Sequence, residues 1–287
     1  MLELIPITDG IGTEVRGVDV TGISDKDFDR IYQAWIDTTI LLFRGQDMTP
    51  MEHIAFTKRF GEVFNYTRSQ FSDPEHPEIL VLSNIAVDGK PIGSAYSGRV
   101  WHSDGHYLTE PPVGSMLYAR RVPPSGGDTW FGNMIAAYDA LPRSVQDRIE
   151  DLKVVISRVQ SRPYNYPDRP PPTPEQRAEW IDVTHPVVRV HEVSGRKALY
   201  VGGNVPWRIV GMPEAQSAPL VTFLQEFSVL PRFTYCHKWQ VGDTLLWDNR
   251  SALHRATDYN YAVHQRLMHR TTMAGTRMLS PACTRGS

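Results

Sequence analysis

Apolar residues recur every three or four positions in several segments of the chain, which is the spacing of a helix with one buried face. The helices predicted on this basis cover residues 25–38, 49–63, 134–152 and 214–229. Ser24 or Asp25 is placed to cap the first helix, and Thr49 followed by Pro50 is placed to begin the second. Pro142 has no amide hydrogen to donate, so we expect it to break or kink the third.

Shorter apolar runs bounded by turn residues predict many short strands. The chain opens with short strands up to about Val20, and further strands are predicted at 39–46, 77–85, 114–122, 185–192, 197–203, 233–240, 243–249, 252–257 and 266–275. Few helices beside many strands favour one β-rich (α+β) domain over residues 1–287, a sandwich or barrel covered by helices.

Two segments lack a regular pattern. Residues 162–178 contain six prolines, so we expect a surface loop and neither a helix nor a central strand. This loop is either a lid over a binding site or a surface loop without a role in binding, and its sequence favours neither. Residues 276–287 are expected to form a loose tail.

The charges of the chain nearly balance, with 30 Lys and Arg against 32 Asp and Glu and a net charge of −2. We therefore expect no nucleic-acid partner and no membrane partner. No apolar run approaches the roughly 18 residues of a membrane span, and the first residues lack a secretory pattern. Cys236 and Cys283 are too few for a disulfide framework or a thiolate zinc site, so a cytoplasmic location is expected.

The stretch VWHSDGHYL, residues 100–108, contains a candidate metal site. Residues two apart in an extended chain project from the same face, so His102 and Asp104 can present an imidazole and a carboxylate to one ion. His254, which follows an apolar strand, can supply a third ligand. Two histidines and one carboxylate on one face of an octahedron hold Fe(II) in non-haem oxygenases and leave three positions open.

Other interpretations of these residues stay open. Most His-x-Asp pairs lie in surface turns, where the aspartate accepts a local hydrogen bond. His106 competes with the first two ligands, and His264 and His269 compete with His254. A zinc hydrolase can use the same three ligand types, but it needs a general base, and no spare glutamate stands close to either segment.

Alternation along the last predicted strand places Arg266, Met268 and Arg270 on one face. Two guanidinium groups on one face repel each other, so this arrangement indicates an anion between or beside them. The alternative is a pair of surface arginines on an edge strand.

Five motifs occur in a fixed order: WHSDGHY, PPSGGDTWFGNMIAAYDALP, HPVVRVHEVSGRKALYV, GDTLLWDNRSALHRAT and QRLMHRTTMAG. Together with TTILLFRGQDMT and HIAFTKRFGEV near the start, they resemble the Fe(II)/2-oxoglutarate-dependent dioxygenases of the TauD/TfdA type. The resemblance runs from about Thr13 to Gly275. It implies a double-stranded β-helix (jelly roll) and an enzyme that uses Fe(2+), 2-oxoglutarate and O2.

The resemblance also implies roles for single residues. The iron ligands are matched by His102, Asp104 and His254. Arg266 matches the arginine that binds the distal carboxylate of 2-oxoglutarate, and Thr129 matches the hydroxyl that assists it. Arg270 matches an arginine that binds the anionic group of the primary substrate in the taurine enzyme.

Other positions depart from the taurine enzyme. Tyr66 and Ser69 stand where that enzyme has a substrate-binding His and Tyr, and Gly98 stands where it has Asn. We therefore expect a small anionic organic substrate with an apolar or aromatic body, and not taurine. Segments that flank the site in the family contain the candidate substrate-binding residues Tyr66, Tyr96, His106, Tyr107, Tyr164 and Asn204.

The reaction implied by the resemblance is hydroxylation of a substrate C–H with decarboxylation of 2-oxoglutarate to succinate. Because Asp104 is present, we expect no halogenation, for which related enzymes replace that carboxylate. Desaturation or C–heteroatom cleavage at the same iron site stays open, as does a non-catalytic metal-binding jelly roll. By analogy with relatives, we expect a homo-oligomer, either a dimer or a tetramer.

Overall fold

The computed structural model describes residues 1–64, 70–166, 169–202 and 207–284. The helices are Asp25–Thr38 (α1), Pro50–Lys58 (α2), Met134–Asp139 (α3), Arg143–Ile149 (α4), Arg158–Asn165 (α5), Pro174–Glu179 (α6), Glu214–Ser228 (α7) and Pro281–Thr284 (α8). The strands are Glu3–Pro6 (β1), Thr13–Arg16 (β2), Ile40–Phe43 (β3), Leu80–Ser83 (β4), Ala86–Val87 (β5), Lys90–Pro91 (β6), Gly114–Arg121 (β7), Thr129–Asn133 (β8), Lys153–Ile156 (β9), Val183–Pro186 (β10), Val188–Val190 (β11), Lys197–Leu199 (β12), Arg208–Ile209 (β13), Thr234–His237 (β14), Thr244–Asp248 (β15), Ala252–Ala256 (β16) and Leu267–Thr272 (β17). None of the described helices has the length and apolar character needed to cross a membrane.

The predicted helices are confirmed, and their expected start and stop residues act as such. The side chain of Ser24 caps α1, and that of Thr49 caps α2. Pro142 divides the third predicted segment into α3 and α4. The second helix is shorter than predicted and ends at Lys58, shortly before Gly61, a poor helix former.

The proline-rich segment 162–178 is more regular than predicted. α5 extends into it as far as Asn165, and α6 begins inside it at Pro174. A proline in the first turn of a helix loses no internal hydrogen bond, and the side chain of Thr173 caps α6. The prediction of a loop without helices was therefore wrong, because it rested on the number of prolines and not on where each proline stands relative to the start of a helix.

The tail predicted to be loose is attached to the rest of the protein. The backbone N–H of Val190 donates to the carbonyl of Leu279 over 2.9 Å. Met278 is buried in an apolar cluster, and α8 follows. The prediction for 276–287 was therefore wrong for the residues that the structure describes.

Two sheets carry the candidate site. The larger sheet has seven strands in the order β1-β2-β3-β15-β7-β17-β4, antiparallel except for the parallel pair β2 and β3. The smaller sheet has the order β14-β8-β16 and is antiparallel. Strands β10-β9-β13, β11-β12 and β5-β6 form three further small sheets.

Strands β3, β7 and β15 are buried on both faces, and alternate residues of each strand enter different apolar clusters. On one face, Met116 packs in a cluster with Trp35 of α1. On the opposite face, Leu117 and Trp247 pack in a cluster with Phe131 of β8. The two sheets therefore lie face to face, and the candidate site is built on their inner side.

Candidate active site

The three candidate metal ligands lie together: His254 is part of β16, and His102 and Asp104 lie beside this strand. His102 and His254 form a single antiparallel bridge, in which each backbone N–H donates to the other carbonyl over 3.0 and 2.9 Å. Their ring centroids are 4.2 Å apart, and the Nε2 atom of each lies 3.9 Å from Oδ1 of Asp104. Among the residues that the structure describes, this is the one group of histidine, cysteine and acidic side chains with the spacing of a metal site.

The three competing histidines stay outside this group in the described part of the chain. His106 is buried, with Nδ1 3.0 Å from the carbonyl of Ser103 and its ring stacked on Trp207 at 5.9 Å. Burial lowers the pKa of His106 to about 4, so this ring is neutral near pH 7.

Asn249 fixes the backbone on both sides of Asp104. Its Oδ1 accepts hydrogen bonds from the Asp104 amide at 2.7 Å and from the Ser103 hydroxyl at 3.0 Å. Its Nδ2 donates to the carbonyls of Asp104 at 2.9 Å and Pro112 at 2.8 Å. Since Asn249 is itself buried, these four bonds hold the aspartate in one place in the turn that follows His102.

The carboxylate of Asp104 is buried but charged. Burial raises its pKa, but the guanidinium of Arg270 and the hydrogen bond from the Ser115 hydroxyl help to bring the pKa well below its ordinary value. Nη1 of Arg270 donates to Oδ1 over 3.0 Å, and the Ser115 hydroxyl donates to Oδ2 over 3.0 Å.

The two imidazoles are suited to act as neutral ligands. Burial lowers the pKa of His254 well below its ordinary value. Nδ1 of His102 lies 2.8 Å from the carbonyl of Val100, so a proton held there leaves Nε2 with a lone pair toward Asp104. Two neutral imidazoles and one carboxylate are a donor set that binds first-row divalent metals.

Arg266 and Thr129 line the same cavity as these three residues, a cavity of about 1060 Å³. Nε of Arg266 is buried and has no hydrogen-bond partner among the described atoms, and burial lowers the pKa of Arg266 to about 10. The Thr129 oxygen accepts from Trp239 over 2.9 Å, which leaves its own hydrogen to donate. Gly127 passes so close that a Cβ there would lie 3.3 Å from Cδ of Arg266. A buried guanidinium with no carboxylate partner among the described residues fits a ligand carboxylate.

Comparison with known proteins adds an independent line of evidence. The family model "Taurine catabolism dioxygenase TauD, TfdA family" matches residues 3–272. The chain belongs to this family. It is 35% identical over 251 residues to the alpha-ketoglutarate-dependent 2,4-dichlorophenoxyacetate dioxygenase of Cupriavidus pinatubonensis, covering 83% of this chain and 85% of that one. It is 32% identical over 285 residues to the alpha-ketoglutarate-dependent sulfate ester dioxygenase of Pseudomonas putida, covering 96% and 90%.

Solved structures give the same result. The structure of AAD-2 in complex with Mn(II) and N-oxalylglycine matches with a TM-score of 0.82 at 29% identity, covering 97% of this chain and 99% of that one. A taurine dioxygenase from Burkholderia xenovorans matches with a TM-score of 0.81 at 29% identity, covering 98% and 93%. This member of the TauD/TfdA family is therefore a 2-oxoglutarate-dependent dioxygenase, and it needs 2-oxoglutarate, O2 and a metal site.

The predicted strand alternation places the arginines as expected. Met268 is buried between the two sheets, and Arg266 and Arg270 both line the cavity. His106 and Tyr107, two of the candidate substrate-binding residues, also line it.

Two other candidates do not line the cavity. The ring of Tyr96 is half exposed and packs on Tyr261 with centroids 4.8 Å apart, beneath the guanidinium of Arg99. Tyr164 is exposed on α5. Their roles in substrate binding stay predictions, because the side on which a loop or short helix exposes a ring has no period in the sequence. Tyr66 and Asn204 lie outside the described residues.

The sequence prediction missed Asn249 and Ser115, which hold Asp104 in place. The only signal for Asn249 was its position in the WDNR segment, just before the strand of His254. Ser115 gave no signal, because a serine in a strand usually needs no partner other than solvent. The sequence prediction also missed Trp180, which lines the outer part of the cavity.

Proposed function

We propose that this protein is a non-haem Fe(II) dioxygenase that hydroxylates a C–H of a small anionic organic substrate and converts 2-oxoglutarate to succinate and CO2. The observation that carries the proposal is the convergence of the His102, Asp104 and His254 group and the unpaired buried Arg266 on one cavity. A metal site alone would serve a structural role equally well. A buried guanidinium beside it serves a bound carboxylate.

In this proposal His102, Asp104 and His254 hold Fe(II), which when bound supplies the redox chemistry that activates O2 with 2-oxoglutarate as reductant. The chain holds these ligands rigidly, through the bridge between the two histidines and the four bonds of Asn249. Arg266 then binds the distal carboxylate of 2-oxoglutarate with its planar fork, and the Thr129 hydroxyl donates to it.

We assign the substrate anion to Arg270 and the substrate body to the cavity wall beside His106 and Tyr107. The neutral His106 ring and the aromatic Tyr107 offer apolar surface, which favours an apolar or aromatic body. Gly98 leaves space at the metal, since a Cβ there would lie 3.2 Å from Cε1 of His102. The relatives named for 2,4-dichlorophenoxyacetate and sulfate esters support aryloxyalkanoates and alkyl or aryl sulfates as the substrate class.

Cleavage of a C–O bond is the second candidate outcome. Hydroxylation of a carbon that carries an ether or ester oxygen gives a product that can collapse with loss of that oxygen. A relative named alkylsulfatase, 30% identical over 290 residues, supports this outcome. Detection of a released phenol or sulfate separates cleavage from simple hydroxylation and from desaturation.

Four finer features complete the proposal. The two facing sheets correspond to a jelly-roll core, residues 1–287 form one domain, and the chain works as a cytoplasmic homo-oligomer. The packing of the two sheets against each other supports the first of these. The other three stay predictions.

The experiment is an anaerobic reconstitution with Fe(II) and 2-oxoglutarate, followed by O2 and a panel of aryloxyacids, sulfonates and sulfate esters. Succinate release that depends on both the substrate and Fe(II) is expected. His102→Ala should abolish it, whereas the control His264→Ala, at a histidine outside the metal group, should retain it. Full succinate release by the His102 variant would disprove the metal assignment.

A further inference from the structure

The outer wall of the cavity carries positive charge that the proposed reaction does not use. α5, α6 and the residues between them contribute Arg158, Arg162 and Arg169, which all line the cavity. We call these three residues the cap arginines. They are separate from Arg266 and from Arg270, which bonds the Asp104 carboxylate.

Aromatic rings hold the cap arginines in place. The guanidinium of Arg158 lies 4.5 Å from the ring centre of Tyr107 and 4.1 Å from that of Trp180. The guanidinium of Arg169 lies 4.2 Å from the ring centre of Tyr166. Stacking occupies the flat face of a guanidinium and leaves its in-plane N–H groups able to donate to an oxyanion.

The described part of the chain offers these guanidiniums no carboxylate within ion-pair distance. With the described residues, Arg162 makes two long hydrogen bonds, of 3.4 Å each, to the carbonyl of Pro170. Burial lowers the pKa of Arg162, and the charges of Arg169 and Arg158 lower it further. Glu179 also lines the cavity, but among the described residues of α5, α6 and the segment between them, one carboxylate opposes three guanidiniums, so this part of the wall is positive.

Tyr107 connects the two positive regions. Its ring contacts Arg158, and the charges of Arg158, Asp104 and Arg270 all act on its hydroxyl, whose pKa is raised mainly by burial. A substrate body packed against Tyr107 therefore lies in the cavity that both Arg158 and Arg270 line.

We propose that the cap arginines form a second oxyanion subsite, so that preferred substrates carry two anionic groups separated by an apolar or aromatic body. One group binds Arg270 and the other binds the cap arginines. This inference rests on the proposed function, which supplies the first subsite. It narrows the substrate class from small organic anions to dianions, such as an aryloxyacetate with a second carboxylate on its ring.

The test compares 4-carboxyphenoxyacetate with 4-methylphenoxyacetate, which share shape but differ in the distal charge. Kd is measured anaerobically by calorimetry on protein loaded with Mn(II) and 2-oxoglutarate, and kcat/KM is measured by succinate release with Fe(II). We expect about a fivefold preference for the dianion, since each partly exposed ion pair contributes modestly. The preference should appear in Kd and KM more than in kcat, and it should weaken with added salt.

The variants are Arg158→Gln and Arg162→Gln, with Arg232→Gln as the matched control. Arg232 is an exposed arginine stacked on Phe233 at 4.7 Å, and it does not line the cavity. The two cap variants should weaken the Kd for the dianion more than the Kd for the monoanion, so that the dianion preference falls toward one. The control should change neither value.

Equal Kd values for the two compounds in the native protein would overturn the inference, as would an equal loss for both compounds in the cap variants. The latter result would mean that the cap arginines only attract anions at long range. The proposed function is judged separately, because turnover of the monoanion supports it whatever the cap arginines do. If neither compound is turned over, the proposed function loses support, and the Kd ratio still decides the subsite.

Discussion

Asn249→Ala should loosen the metal site without touching a metal ligand. The substitution removes the side chain that bonds the Asp104 amide, the Asp104 carbonyl and the Pro112 carbonyl. Two of these backbone groups belong to Asp104 itself, and the third belongs to Pro112, which is bridged to Gly275. The Ser103 hydroxyl keeps a partner, because it also donates to the Asn249 carbonyl over 3.1 Å.

The size of the effect follows from those three groups. Each buried polar group left without a partner costs about 1–3 kcal/mol, and water entering the vacated space recovers part of this. We therefore expect about 3 kcal/mol of lost stability, which for a chain of this length lowers Tm by about 5 °C. Loss of such a supporting residue typically weakens metal binding about 10- to 100-fold.

The measurements are thermal unfolding in metal-free buffer and anaerobic calorimetric titration with Mn(II). Asn133→Ala is the matched control, because Asn133 is also buried and bonds three backbone groups, two amides and the carbonyl of Gly10. Both variants should lose stability, but only Asn249→Ala should lose metal affinity. Equal metal affinity in the two variants would refute the idea that Asn249 positions Asp104.

Three further predictions follow from the geometry. Gly127→Ala should raise the KM for 2-oxoglutarate about tenfold and leave the Kd for Mn(II) unchanged. The reason is that the new methyl group would press on Arg266, and that the backbone of residue 127 has φ +69°. An unchanged KM would contradict the close approach of Gly127 to Arg266. His53 is buried, and burial lowers its pKa to about 3. Below about pH 6.5 the unfolded chain therefore binds a proton that the folded chain excludes, so the stability of the fold decreases as the pH falls. His53→Gln should reduce the stability difference between pH 7.5 and 4.5 by about 2–3 kcal/mol in urea unfolding, and an unchanged difference would show that His53 is not the group involved. Removal of metal by a chelator should lower Tm by several degrees relative to protein in metal at 100 times its Kd, and this shift should vanish in His102→Ala.

Local patterns in the sequence predicted the elements well, because helix and strand periods depend on neighbouring residues. Ser24 caps α1 and Pro142 separates α3 from α4 as expected. The same logic placed Arg270 of β17 and Arg266, which directly precedes this strand, toward the same cavity. It failed for 162–178, where a count of prolines hid the fact that Pro174 stands at the first position of a helix.

Contacts between distant residues could not be predicted in this way. Asn249 bonds Asp104 across 145 positions, and Ser115 and Asp104 meet only because β7 begins beside the turn. Neither contact leaves a period or a spacing in the sequence. Tyr96 shows the reverse, since a plausible pocket residue in the sequence packs outside the cavity on Tyr261.

The ion pair between Arg270 and Asp104 shows why such contacts matter for function. The resemblance assigned these residues to two separate tasks, substrate binding and metal binding. In the structure, Nη1 of Arg270 bonds Oδ1 of Asp104, the same oxygen that lies 3.9 Å from Nε2 of both histidines. A metal ion held by these three side chains would share this carboxylate oxygen with the guanidinium and would compete with Arg270 for it. Under the proposed assignment of the substrate anion to Arg270, the substrate and metal sites would be linked through this one contact, which inspection of either motif alone would not reveal.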